Sequence, residues 1–241
     1  MKFEGEHEHT TLINARIASN DDDVMLVTNS GRAIRFPATD VRVFNSRNSV
    51  GVRGIKLQGD DKIVSMSIIR HFVAEADERA AYLKMRRAMA GLADDAEVED
   101  EEAPAGAITQ ERYAEMSAAE NLILTITAKG SGKLSSSHDY PVRGRGGMGV
   151  TAMDKAMRGG EIVSSFPVDT GDQIMLVTSA GQSIRVPVEG ISFRSRSAGG
   201  VKVFDTAKGE EVVSVAWIAE QEDADDGIED AEIISNDDVD S

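Results

Sequence analysis

The chain has 241 residues, with 26 Lys and Arg against 42 Asp and Glu, and a formal net charge of −16. It has no cysteine, which excludes disulfides and thiolate metal sites. No segment approaches the run of about 20 apolar residues that crosses a bilayer, and the opening MKFEGEHEHT lacks the apolar stretch of a secretory leader. The acid is unevenly placed. Residues 220–241 hold eleven acidic residues and no Lys or Arg, and residues 70–120 hold thirteen acidic against six basic. The remaining body, 11–69 with 121–219, carries nineteen basic and fifteen acidic residues, so an anionic partner is not excluded. These features together point to a soluble cytoplasmic protein.

In chain order, residues 1–20 read as the end of a truncated preceding unit, because Lys2-Phe3-x-Gly5 and Leu12-Ile13 match Lys56-Leu57-x-Gly59 and Ile63-Val64. An array that opens in mid-unit implies a piece of a longer protein, with Met1 an internal or misplaced start. Residues 21–69 form the first full copy. Its apolar run VMLVT ends at Thr28, a turn follows at Gly31, and a second run rich in β-formers follows the turn. Glycine supplies the positive φ that such a hairpin turn needs. Residues 70–120 read as a surface insertion. EADERAAYLKMRRAMAG (75–91) has helical composition with a closing Gly91, TQERYAEMSAAE (109–120) suggests a helix behind Thr109, and the acidic stretch between them is too charged to pack. Copies two (121–170) and three (171–219) repeat the hairpin at LILTITAKGSGKL and IMLVTSAGQSIRV, and 220–241 reads as an acidic disordered tail. Each copy offers about four short strands within roughly fifty residues, the size of a propeller blade. The predicted fold is all-β, a propeller-like β-pinwheel of three blades and a remnant.

A second landmark recurs 19 or 20 residues after each turn glycine: FNSRNSVGV (44–52), VRGRGGMGV (142–150) and FRSRSAGGV (193–201). Their shared core is Arg-x-x-x-Gly-Val, at Arg47, Arg145 and Arg196. Small loop residues admit a close ligand and expose N–H groups to anions, and the guanidinium fork suits phosphate oxygens. Strand alternation places Arg35 and Arg185 away from their apolar neighbours, whereas copy two has Lys133 followed by Leu134. The candidate DNA-backbone contacts are Arg32, Arg35, Arg47, Lys133, Arg143, Arg145, Arg185, Arg194, Arg196 and Lys202. The same residues have a structural alternative: solvated or edge-strand charges, with the motif arginine capping loop carbonyls. Catalysis finds little support. His7, His9, His71 and His138 form no ligand or triad pattern, Gly130-Ser131-Gly132-Lys133 lacks the spacing and helix of a phosphate loop, and Trp217 reads as core.

The segments VMLVTNSGRAIRF, SVGVRGIKL, QIMLVTSAGQSIRVPVEGISF and RSRSAGGVKVF, with the acidic tail, resemble the C-terminal domain of bacterial DNA gyrase A subunits over most of 10–219. That resemblance implies a β-pinwheel that wraps double-stranded DNA on a basic rim without reading sequence. The enzyme it implies is an ATP-dependent type II topoisomerase that negatively supercoils DNA, with the gyrase B subunit and another copy of the A subunit as partners. ATP and magnesium are then expected only in the whole enzyme, and this chain is expected to be non-catalytic. Tyr82, Tyr113 and Tyr140 lie in the insertion or a blade, where none serves as a strand-cleaving nucleophile. The family's QRRGGKG box belongs to a blade this chain lacks; Arg145-Gly146-Gly147-Met148-Gly149 echoes it without the lysine. Two alternatives stay open: the related C-terminal domain of topoisomerase IV, and a propeller-like protein-interaction platform. The tail reads either as a competitor for the basic rim or as a solubility device.

Overall fold

A computed structural model describes residues 11–45, 49–89, 107–156 and 159–218. The strands are β1 (Asp22–Thr28), β2 (Arg32–Pro37), β3 (Ile63–Arg70), β4 (Leu122–Thr127), β5 (Ser131–Ser136), β6 (Val150–Thr151), β7 (Ile162–Val168), β8 (Gln173–Thr178), β9 (Ser183–Pro187), β10 (Val201–Lys202) and β11 (Val212–Ile218). Helices α1 (Ala76–Met89) and α2 (Gln110–Ala119) lie between β3 and β4.

Three hairpins, β1–β2, β4–β5 and β8–β9, turn at Gly31, Gly130 and Gly181 with φ of 87°, 75° and 81°. The threonine ending each first strand helps to close its turn. Thr28 and Thr178 accept from the N–H of Arg32 and Gln182, and Thr127 donates to Ser131 O. Each hairpin gains a long antiparallel neighbour later in its own copy (β3, β7 or β11), and each of these pairings carries a register shift near its end.

The fourth strand does not come from the same copy. The sheets run β3-β1-β2-β6, β10-β5-β4-β7 and β11-β8-β9. Thus β6, from copy two, pairs with β2 of copy one (Arg32↔Thr151, Ala33↔Val150), and β10, from copy three, pairs with β5 of copy two (Val201↔Gly132, Lys202↔Ser131). The Gly-Val of the recurring motif is therefore the start of a donated strand. Close approach dictates the glycine. A Cβ at Gly149, whose φ is +69°, would lie 2.3 Å from Ala33 O, and one at Gly200 would lie 2.8 Å from Gly132 N.

Strand alternation supplies both faces of the first two sheets. Met25, Val27 and Ile69 pack against Ile123 and Ile162 of the second sheet and Tyr140 just beyond β5, while Val24, Leu26, Ile34, Phe36 and Ile55 form a cluster on the opposite face. Leu124, Ile126 and Leu134 pack against Ile174, Leu176 and Val212 of the third sheet. Each such side chain contributes about 1.5–3 kcal/mol on full burial. Among the described residues nothing covers the far side of the third sheet, so β9 is largely exposed.

The insertion has a core of its own. Tyr82, Leu83 and Met116 are buried with Phe72 and Tyr113 beside them. Thr109 caps α2 by accepting from Arg112 N. The two helices close over His138, whose ring meets Phe72 and Tyr82 edge-on at 5.4 and 5.1 Å and whose Nε2 lies 2.8 Å from Met116 O. Burial pushes the His138 imidazole below its ordinary pKa, which favours the neutral ring.

Candidate nucleic-acid interface

The two fully described rim loops, 142–150 and 193–201, start alike and are held differently. Each enters beside the second hairpin strand of the preceding copy. Val142 forms a parallel bridge with Arg35, and Phe193 forms one with Leu134. Arg143 N then donates to Arg35 O at 2.8 Å, and Arg194 N donates to Leu134 O at 2.7 Å. From there loop 142–150 stays at the surface. Gly146 N donates to Gly54 O, and Lys56 N donates to Gly147 O. Arg145 lies exposed along the loop, with Nε on Asp40 O at 3.0 Å and Nη1 on Arg53 O at 3.1 Å.

Loop 193–201 is latched from below. Arg196 is buried; its backbone N–H reaches Asp139 Oδ2 at 2.6 Å, its Nε donates to Asp139 O at 2.8 Å, and its Nη1 donates to Thr151 O. Lys133 Nζ donates to Ser195 O, Ala198 O and Arg196 O, and the side chain is fully buried. Burial pushes the Lys133 ammonium down to about 7; Asp139 pulls it back up, and Arg196 and Arg194 push it further down.

Three of the ten sequence candidates thus face inward. Arg35 is the first correction. Alternation does turn it away from Ile34 and Phe36, but the second copy packs on that side. Its guanidinium donates to Asp23 Oδ2 (2.7 Å), Ser137 O (2.8 Å) and Arg70 O (3.0 Å). Lys133 and Arg196 are the others; their bonds end on loop carbonyls and on Asp139, as the structural alternative for the motif arginine anticipates. Arg32 is half-buried, 3.5 Å from Thr151 Oγ1. Arg143, Arg145, Arg185 and Lys202 are exposed and Arg194 is half-buried. Lys202 pairs with Asp205 at 3.0 Å. Arg47 lies outside the described residues.

Around loop 142–150 the structure adds three exposed cations that the sequence reading missed: Arg42, Arg53 and Lys56. Arg53 had a signal, since it follows Val52 as Lys202 follows Val201. Arg42 lies over the Phe44 ring at 4.9 Å, a contact with no sequence signature. With Arg143 and Arg145 these make five exposed cations at the junction of copies one and two, where Asp40 O accepts from Arg145 Nε. Trp217 is a further correction. It is 55% exposed rather than core, because β11 is an edge strand and Trp217 lines an open pocket there with Phe166 and Pro167, and its indole N–H donates to Asp172 Oδ2 at 2.7 Å.

Repeated sheets, two of the three completed to four strands by exchange from copy to copy, define a β-propeller-type repeat protein with cationic loops at the blade junctions. The chain belongs to the family described as DNA gyrase C-terminal domain, beta-propeller, which matches residues 22–70, 121–169 and 172–216. It is 43% identical to a DNA gyrase A subunit of Granulibacter bethesdensis over 95% of this chain and 26% of that protein. It is 38% identical to one of Rickettsia bellii over 93% of this chain and 25% of that protein. It therefore spans about a quarter of these curated relatives. Among solved structures, the C-terminal domain of DNA topoisomerase IV aligns with a TM-score of 0.56 at 20% identity, covering 82% of this chain and 47% of that one, which supports the fold.

Proposed function

We propose that the chain is the DNA-wrapping part of a gyrase-type enzyme, holding duplex DNA by its phosphates and carrying no catalytic step itself. The observation that carries this is the junction of copies one and two. Five exposed cations (Arg42, Arg53, Lys56, Arg143 and Arg145) surround a loop whose glycines and short side chains let a backbone approach. Arg185, Arg194 and Lys202 extend the track along the next junction and the last sheet. Contacts to phosphate position a duplex without reading its bases. In the longer enzyme the wrapped segment would serve ATP-dependent strand passage with the gyrase B subunit and another copy of the A subunit, and ATP and magnesium would be held outside this chain. Membership of the gyrase family and similarity to gyrase A subunits favour this over a protein-interaction platform.

The test is the salt dependence of duplex binding, measured by fluorescence anisotropy with mixed-sequence DNA. The logarithm of affinity should fall linearly with the logarithm of salt, by about 0.9 per neutralised phosphate, whatever the sequence. A flat response would sink the proposal.

A further inference from the structure

Counted from the turn glycines, Lys133 occupies the place that Ile34 and Ile184 hold in the sister copies. Ile34 meets loop 142–150 through apolar contact, 3.8 Å from where a side chain on Gly147 would begin. Lys133 reaches the equivalent part of loop 193–201 with its Nζ. Its three donors meet three backbone carbonyls, those of Ser195, Arg196 and Ala198.

This has a geometric consequence on the other side of the loop. In a trans peptide the C=O and the following N–H point in opposite directions. Carbonyls of Arg196 and Ala198 turned toward Lys133 therefore turn the N–H groups of Ser197 and Gly199 away from it. The neighbouring groups are engaged within the protein: Ala198 N donates to Ser195 O, and Ser197 O accepts from Asp154 N. Ser197 through Gly200 are half-exposed, and their side chains are small enough for an oxygen to approach the backbone. Beneath them lie Arg196 and Lys133, the latter a cation below about pH 7, against one carboxylate, Asp139. Two N–H groups turned to the same side of a loop, with cationic side chains beneath it, suit an anion.

We propose that the N–H groups of Ser197 and Gly199 form a backbone phosphate seat on loop 193–201, with Lys133 as the positioning residue beneath it. The seat rests on the DNA-binding reading above and names one place where that reading acts without an exposed side chain.

The amide resonances of the whole chain, followed while a short mixed-sequence duplex is added, test it. The Ser197 and Gly199 amides should shift together with those near Arg143 and Arg145. Lys133→Ile, which installs the sister copies' residue, should abolish the Ser197 and Gly199 response and weaken duplex binding about fivefold, while hydrogen exchange in β4 and β7 stays unchanged. Shifts near Arg143 and Arg145 with silence at Ser197 and Gly199 would overturn the seat and leave the DNA reading standing. Silence everywhere would overturn both. Should Lys133→Ile not fold, the wild-type titration still decides the seat, and Lys133→Met, closer in shape to lysine, decides the positioning role: an unchanged Ser197 and Gly199 response in that variant would overturn it.

Discussion

The loops 142–150 and 193–201 descend from one repeated pattern, and the motif arginine makes the same two side-chain bonds in both, Nε to the carbonyl of Asp40 or Asp139 and Nη1 to that of Arg53 or Thr151, yet it ends exposed in one and buried in the other. Arg145 lies along the surface on two carbonyls of the preceding copy, open to solvent. Arg196 is driven into the junction, 3.7 Å from Asp139. The difference follows from their neighbours. Loop 142–150 is glycine-rich and rests on Ile34. Loop 193–201 rests on Lys133, and the Arg196 backbone N–H also donates to Asp139 Oδ2, a carboxylate bond added to the carbonyl contact that Arg145 makes with Asp40 at the same place. One loop thus offers its cations outward, while the other uses them to fix its own backbone. A recurring arginine keeps its two carbonyl bonds, and the residues beneath it set how far it is buried.

Arg196→Ala should separate the loops most clearly. Removing one partner of a buried ion pair costs about 3–5 kcal/mol, whereas Arg145→Ala should cost under about 1 kcal/mol. Equilibrium denaturation of the two variants measures the contrast, and equal losses would erase it. Next, the Lys133 latch should give the junction a pH dependence. The folded-state ammonium titrates near 7, below its ordinary 10.5, so the unfolded chain holds more protons between those values. Stability of the wild type relative to Lys133→Met should therefore rise by a few kcal/mol from about pH 7 to pH 10.5. A constant difference would mean that the ammonium is not perturbed.

Gly149→Ala should destabilise by about 1–3 kcal/mol, because it combines a positive φ with a clash against Ala33 O. Gly200→Ala lacks the positive φ and should cost less; thermal melts rank the two. The smallest effect on stability belongs to Arg143→Ala with Arg145→Ala. That pair should leave the fold within about 1 kcal/mol yet reduce the salt slope of duplex binding by about 2. An unchanged slope would move the DNA track elsewhere.

Much of the fold was legible because it is periodic. The turn glycines, the threonines before them and the alternating apolar runs recur, and Thr109 announced its helix. The strand exchange was not legible. A Gly-Val pair states that a short strand begins and says nothing about which copy receives it. Burial of Arg35 was equally hidden, since alternation assigns a side chain to a face and tertiary packing decides whether that face meets water. The insertion read as a surface appendage, yet it closes over His138, because the aromatic cage of Phe72 and Tyr82 assembles from residues distant in sequence.

The exchanged strands also bear on how such an array changes length. Copies two and three each give one strand to the copy before, and copy two also takes one from the copy after it. Excising one whole repeat from the interior brings a donor against an acceptor of the same kind, and the junction heals with no strand left over. Cutting out one whole sheet instead, with its borrowed strand, would orphan pieces of two repeats. Duplication and loss by whole sequence units is therefore the tolerated route, and the number of blades can drift while the joint between them stays the same.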